Sequence, residues 1–198
     1  MPAELSDRLQ ANDAALAARL ACGDAAALTP IYRRHRAQVY RFALLWSGSA
    51  AVAADVTQDV FLHLLTKADD YAPERGPLQP WLLGIARNFV HRRTGADARY
   101  VANDDEAMPP APELDAPTPE SAFDTQRELA RLRAAIAALP PHYRDVLVLV
   151  ELAERSYAEA AAICGCELNT VRSRLSRGRG LIARWLDAPA QRANAAKG

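Results

Sequence analysis

Apolar residues recur at spacings of three and four along most of the chain, the period of a helix buried on one face. From Ala50 to Ala68, Val52, Val56, Val60, Leu64 and Ala68 fall one turn apart, and Phe61 and Leu65 widen the stripe. The opposite face carries Asp55, Gln58, Asp59 and Leu62. A second segment, opened by Pro80, runs from Trp81 to about Arg93. It is predicted to bury Trp81, Leu82, Ile85, Ala86 and Phe89 and to turn Arg87, Asn88, His91 and Arg92 outward. Upstream, Asn12 or Asp13 can cap a helix running to about Cys22, with Gly23 at its end. Thr29-Pro30 reads as the N-cap and first residue of another helix, which reaches about Trp46 and is broken by Gly48. Farther on, Leu129, Leu132, Ile136 and Leu139 mark a helix stopped by Pro140-Pro141, and one more runs from about Tyr143 to Ala153. Residues 1–94 show no strand pattern, so the expected fold class is all-α.

The pattern breaks once. Between Asn103 and Pro119, Pro109, Pro110, Pro112, Pro117 and Pro119 stand among Asp and Glu with few large apolar residues. Such a segment cannot bury enough surface to offset its ordering entropy. The expected organisation is two small helical domains, 5–96 and 123–187, joined by a flexible, acidic, Pro-rich linker over 97–122. A chain of 198 residues, half of them apolar, has room for two small cores. Its net charge of zero conceals segregation. Residues 1–94 carry 11 basic and 9 acidic side chains, residues 95–125 carry 1 and 8, and residues 126–198 carry 12 and 7. A basic C-terminal end behind an acidic spacer suits a locally anionic partner.

That basic end holds the most specific motif. Ser156-Tyr157-Ala158-Glu159 has capping-box spacing and opens a short, Ala-rich helix to Cys164. Gly165 supplies a turn, and Asn169 then caps a second helix beginning Thr170-Val171-Arg172-Ser173-Arg174-Leu175-Ser176-Arg177. Val171, Leu175, Gly178, Ile182 and Leu186 form its buried seam. From Asn169 to Arg184 there are five arginines and no acid. Short helix, glycine turn and capped basic helix make a helix-turn-helix for duplex DNA. Arg172 can donate two hydrogen bonds to guanine, while Ser173 and Ser176 permit close approach. Thr170 lies at the start of this helix, and Arg174, Arg177 and Arg179 can reach phosphates.

Three stretches carry a family resemblance: Leu139-Pro140-Pro141-His142-Tyr143-Arg144-Asp145-Val146-Leu147, then Ser156 to Glu159, then Asn169 to Leu175. Together they resemble the promoter-binding domain of bacterial sigma factors of the extracytoplasmic-function (ECF) group. The first domain agrees: Asp55-Val56-Thr57-Gln58-Asp59-Val60-Phe61 is similar to that family's core-polymerase-binding helix. Tyr71 to Gly76, followed by Trp81 to Asn88, is similar to its promoter-melting segment. The resemblance implies that Asp55, Gln58, Asp59 and Leu62 dock on the clamp of the large subunit of core RNA polymerase. It implies that Tyr71, Arg75, Arg87, Asn88, His91 and Arg92 engage the minus-ten element. In it, the loop from Tyr71 to Gln79 holds a base flipped from the non-template strand. Thr170, Arg172, Ser173, Arg174, Ser176, Arg177 and Arg179 would serve the minus-thirty-five element. The acidic linker would thread the polymerase's RNA-exit path, and an anti-sigma factor is an expected partner. Arg155 departs from the pattern, standing where the family commonly has Gly.

Other classes fit less well. A helix-turn-helix regulator that does not bind polymerase, such as a response-regulator effector, predicts a receiver domain of alternating strands and helices. An anti-sigma or adaptor protein would lack the arginine-rich helix. For an enzyme, His35, His63, His91 and His142 are dispersed, and no phosphate loop or metal spacing recruits them; no cofactor is expected. Cys164-Gly165-Cys166 offers two thiols, half a zinc site, and a structural role is the expectation. With no apolar run of about 18 residues and no signal-peptide pattern, the chain is expected to be cytoplasmic and not inserted in a membrane.

Overall fold

Ser47-Gly48-Ser49 sets the corner between the second and third helices. Gly48 takes a left-handed conformation at φ 68° and its N–H closes on Leu44 O at 2.8 Å, ending α2 (Leu28–Ser47). Ser49 is extended and its hydroxyl accepts from Val52 N, starting α3 (Ala50–Thr66). The computed structural model describes residues 2–96 and 121–195, with side chains described over 12–96 and 126–187. The elements described are α1 (Pro2–Ala21), α2, α3, α4 (Leu78–Thr94), α5 (Ser121–Ala138), α6 (Pro141–Leu147), a π-turn over Val148–Leu152, α7 (Tyr157–Cys164) and α8 (Leu168–Ala195), with short 3₁₀ turns between. No strand occurs among the described residues, as the sequence pattern predicts.

In the N-terminal half α2 packs on α3 and α4, and α3 on α4. Val56, Val60 and Leu64 from the predicted α3 stripe are fully buried against Phe42, Trp46 and Leu82. Leu65 is exposed at 39%, so the stripe is narrower than predicted. In the C-terminal half α8 crosses α6 and packs on α7 and α5. The predicted seam holds: Val171, Leu175, Gly178 and Ile182 are buried, with Leu186 half-buried and Trp185 added. Gly178 admits the close crossing, since a Cβ there would stand 3.4 Å from that of Tyr143.

Several local expectations change. Asp13 is no cap: α1 begins at Pro2, and Asp13 is buried in mid-helix, bound to His35 Nε2 at 2.8 Å and to Arg34. Thr29 lies inside α2, whose N-cap position is Ala27. Asn169 lies inside α8, which begins at Leu168. Leu129 and Leu132 are exposed because α5 is covered only around Ala135, Ile136 and Leu139; periodicity marks a face, not how far a neighbour covers it. The expected helix from Tyr143 to Ala153 starts at Pro141 and widens into the π-turn. Glu154, just beyond, has φ 56°, the position in this turn where glycine would be at ease. The linker expectation for 97–122 lies outside the described residues except for Ser121 and Ala122, which are already in α5.

The two halves are not apart. Their buried apolar residues form one cluster, with α4 against α7 and α2 against the π-turn and α5. Arg41 Nη2 donates to Leu152 O at 2.9 Å, and Gly84 lies against the backbone of Ile163.

Candidate nucleic-acid and polymerase interfaces

The helix-turn-helix is built as its sequence predicts except that α8 begins at Leu168, ahead of Asn169. The Ser156 hydroxyl accepts from Glu159 N, and the Glu159 carboxylate accepts from Ser156 N at 2.9 Å. Burial pushes that carboxyl up, but the Ser156 hydrogen bonds and Arg155 hold it below the usual range, so it stays an acceptor. Gly165, at φ 64°, makes the turn. Of the predicted DNA-facing residues on α8, Arg172, Ser173, Ser176, Arg177 and Arg179 are exposed, and Thr170 and Arg174 are half-buried. Arg172 Nη1 leans on Asn169 Oδ1 at 3.4 Å, a weak tether that leaves the fork able to swing. Arg179 pairs with Glu151 of the π-turn and Ser173 Oγ donates to Thr170 O.

On α3, Leu62 is half exposed and Gln58 and Asp55 are exposed. Asp59 is less so: its Oδ2 takes Arg93 Nη2 at 2.6 Å, and Arg93 Nη1 reaches Asp55 at 3.0 Å. The two acids are therefore partly neutralised by α4. Sequence reasoning missed Tyr32, an exposed aromatic on α2 whose ring meets Phe61 edge-on at 4.8 Å. Tyr32, Tyr40, Phe61 and Leu62 line a groove of about 700 Å³ beside Gln58.

The minus-ten set divides. Asn88, Arg92 and Arg75 are exposed, and Arg92 stacks over Phe89 at 4.6 Å. Tyr71 is buried; its hydroxyl donates to Gly76 O at 3.0 Å and its ring meets Trp81 at 5.5 Å, so it shapes the loop from within. Burial, with the charges of Asp13 and Glu74, pushes its phenol up and keeps it a neutral donor. His91 does not face outward as expected: it is buried, and Arg87 nearly so, because both turn to Asp145 of α6. Trp46 Nε1 donates to the same carboxylate at 2.8 Å. Sequence reasoning missed Asp145 and Trp46. The one signal was an acid immediately before the apolar run Val146-Leu147-Val148-Leu149. Beside this joint, α4 and the loop after Tyr71 form one wall of a cleft of about 950 Å³, and α7 the other.

Cys164 lies at the same joint. Burial first, then the Asp145 charge, pushes its thiol up to about 12, so it remains a protonated packing group. No cluster of three or more His, Cys, Asp or Glu suited to a metal ion occurs among the described residues. No helix among them is long and apolar enough to cross a membrane.

Comparison with known proteins agrees with this geometry. The family model for sigma-70 region 2 matches residues 31–99, and that for sigma-70 region 4 matches residues 129–182. The chain is 35% identical over 172 residues to the ECF RNA polymerase sigma factor SigE of Mycolicibacterium smegmatis, covering 84% of this chain and 65% of that one. It is 34% identical over 145 residues to the ECF RNA polymerase sigma factor EcfG of Rhodopseudomonas palustris, covering 73% and 77%. Among solved structures, CnrH in complex with the cytosolic domain of CnrY matches with a TM-score of 0.63 and 26% identity, over 89% of this chain and 98% of that one. The chain belongs to the sigma-70 family, in its ECF group.

Proposed function

We propose that this sigma factor binds core RNA polymerase through α3 and directs it to two-part promoters. The docking face is Asp55, Gln58, Asp59 and Leu62, extended by Tyr32 across the groove. Acids and an amide around exposed Leu62 and Tyr32 suit an interface with an apolar centre and polar rim. The face lies on the side of α3 opposite its buried stripe, so docking need not disturb the core.

The N-terminal domain, 5–96, carries minus-ten recognition and melting through Asn88, Arg92, Arg75 and, once released from Asp145, Arg87 and His91. Tyr71 supports the loop that would hold a flipped base. The C-terminal domain, 123–187, reads the minus-thirty-five element as duplex. The observation that carries the reading is the exposed face of α8, where Arg172, Ser173, Ser176 and Arg177 stand together at the end of a capped helix-turn-helix. The chain itself supplies no catalytic residue in this scheme; bond formation belongs to the polymerase. It works in the cytoplasm with that polymerase. The sigma factor RpoE of Bartonella quintana, which matches with a TM-score of 0.57 and 25% identity, was solved in complex with the anti-sigma factor NepR, which supports an anti-sigma factor as a further partner here.

Titrating labelled protein with core RNA polymerase and following fluorescence anisotropy tests the reading. Saturable binding is expected, weakened by Asp59→Arg and by Leu62→Arg with helix content unchanged. Wild-type affinity in both variants would exclude the α3 face. Absence of binding by well-folded protein would favour a regulator that acts on DNA alone.

A further inference from the structure

Asp55 and Asp59 stand one helical turn apart on α3, so their charges repel along the very face proposed to meet polymerase. Arg93, in the last turn of α4, reaches both. Its Nε and Nη2 donate to Asp59 Oδ2 at 2.9 and 2.6 Å, and its Nη1 donates to Asp55 Oδ2 at 3.0 Å. One planar fork thus spans two carboxylates on a neighbouring helix, a geometry that the point charge of an ammonium does not reproduce.

Each acid gives Arg93 one oxygen. The other oxygen of each, Oδ1, accepts no hydrogen bond from the described residues. The Asp55 side chain is 57% exposed and that of Asp59 26%, and exposed Gln58 and Leu62 stand beside them. Two carboxylates and one guanidinium leave this cluster with a single negative charge. An exposed ion pair of this kind adds little to stability. Its consequence is orientation: a carboxylate that is free to rotate must be ordered when a partner docks, which weakens binding, whereas α4 has already ordered these two.

We infer that Arg93 is a positioning residue of the docking face, holding Asp55 and Asp59 so that their remaining oxygens together accept one guanidinium of the polymerase. The inference rests on the reading of α3 as the polymerase dock. Arg93 itself makes no bond to the partner. Two converging carboxylate oxygens match the paired N–H groups of an arginine, and the single residual charge suits one cation rather than a basic cluster. Leu62 supplies the apolar contact next to it.

The test measures the affinity of the full chain for core RNA polymerase by anisotropy over a range of salt concentrations. Arg93→Gln releases both carboxylates and leaves their charges uncompensated. Affinity near physiological salt should fall about fivefold or more, the effect of ordering two side chains on docking. Its decline with added salt should steepen, because the face is now more acidic. A role in charge alone predicts tighter binding instead. Arg93→Lys restores the charge without the fork. It should return the salt dependence to that of wild type yet regain only part of the affinity, and it serves if Arg93→Gln fails to fold. Arg19→Gln, which breaks the exposed Arg19–Asp24 pair beside α1, should change nothing. Wild-type or tighter binding by Arg93→Gln, wild-type affinity in Arg93→Lys, or an equal loss from Arg19→Gln would each overturn the inference. Leu62→Arg, measured alongside, separates it from the proposed function. Binding lost in Leu62→Arg but intact in Arg93→Gln refutes the positioning role alone, whereas wild-type affinity in Leu62→Arg refutes the dock and the positioning role with it.

Discussion

Replacing Trp46 by Phe should loosen the joint between the two halves by an amount that can be worked from its contacts. The indole is 1% exposed, and its N–H donates to Asp145 Oδ1 at 2.8 Å. Phenylalanine keeps most of the ring packing but leaves that oxygen with His91 Nε2, 2.8 Å away, in place of two partners. Losing a hydrogen bond to a charged acceptor costs about 1.5–3 kcal/mol. The smaller ring leaves a cavity of about 40 Å³, worth about 1 kcal/mol at ~24 cal/mol per Å³. The expected loss is therefore about 2.5–4 kcal/mol, measured by urea unfolding followed by circular dichroism. The same substitution in an Asp145→Asn background should cost about 1 kcal/mol less, since a neutral amide oxygen is a weaker acceptor. A cycle that is additive to within about 0.3 kcal/mol would refute the view that Trp46 acts through the Asp145 charge.

Three further expectations follow from the same structure. Burial pushes the Asp145 carboxyl up, but His91 and Arg87 pull it further down, to a net position below its usual 3.8. Its contribution is thus present above that usual value and lost as pH falls through the lowered one. The stability difference between wild type and Asp145→Asn should hold steady from about pH 7 to about pH 5 and shrink below, and a difference that grows on acidification would contradict the sign. Glu154→Gly should raise stability by about 0.5–1 kcal/mol, because relief of the left-handed backbone outweighs the added freedom of the unfolded chain; a lower urea midpoint would show that the turn is not strained. Arg172→Ala should cost about 1–3 kcal/mol of base discrimination at one minus-thirty-five position, read by competition among single-base promoter variants, and an unchanged profile would remove Arg172 from base reading.

The helix-turn-helix was legible in the sequence because its determinants are local. A capping box, a glycine turn and a seam at helical spacing all lie within Ser156 to Leu186, and each formed. The exposed face of α3 was legible for a similar reason, being the complement of a strong apolar stripe. What failed depended on contacts distant in sequence. Asp13 looks like a cap until α2 brings His35 and Arg34 to it from 22 and 21 residues away. His91 and Arg87 read as outward-facing residues because their common partner lies 54 and 58 residues on, beyond the acidic linker. Leu129 and Leu132 show the converse error, apolar spacing on a part of α5 that no described neighbour covers.

The most direct test of the central claim is transcription in vitro from genomic DNA fragments by bacterial core RNA polymerase, with and without this protein, followed by mapping of the RNA 5′ ends. The account predicts a discrete set of start sites that appears only with the protein and shares a two-part upstream sequence. It also predicts that Leu62→Arg abolishes the set. The same start sites with core polymerase alone, or a set that persists undiminished in Leu62→Arg, would contradict it.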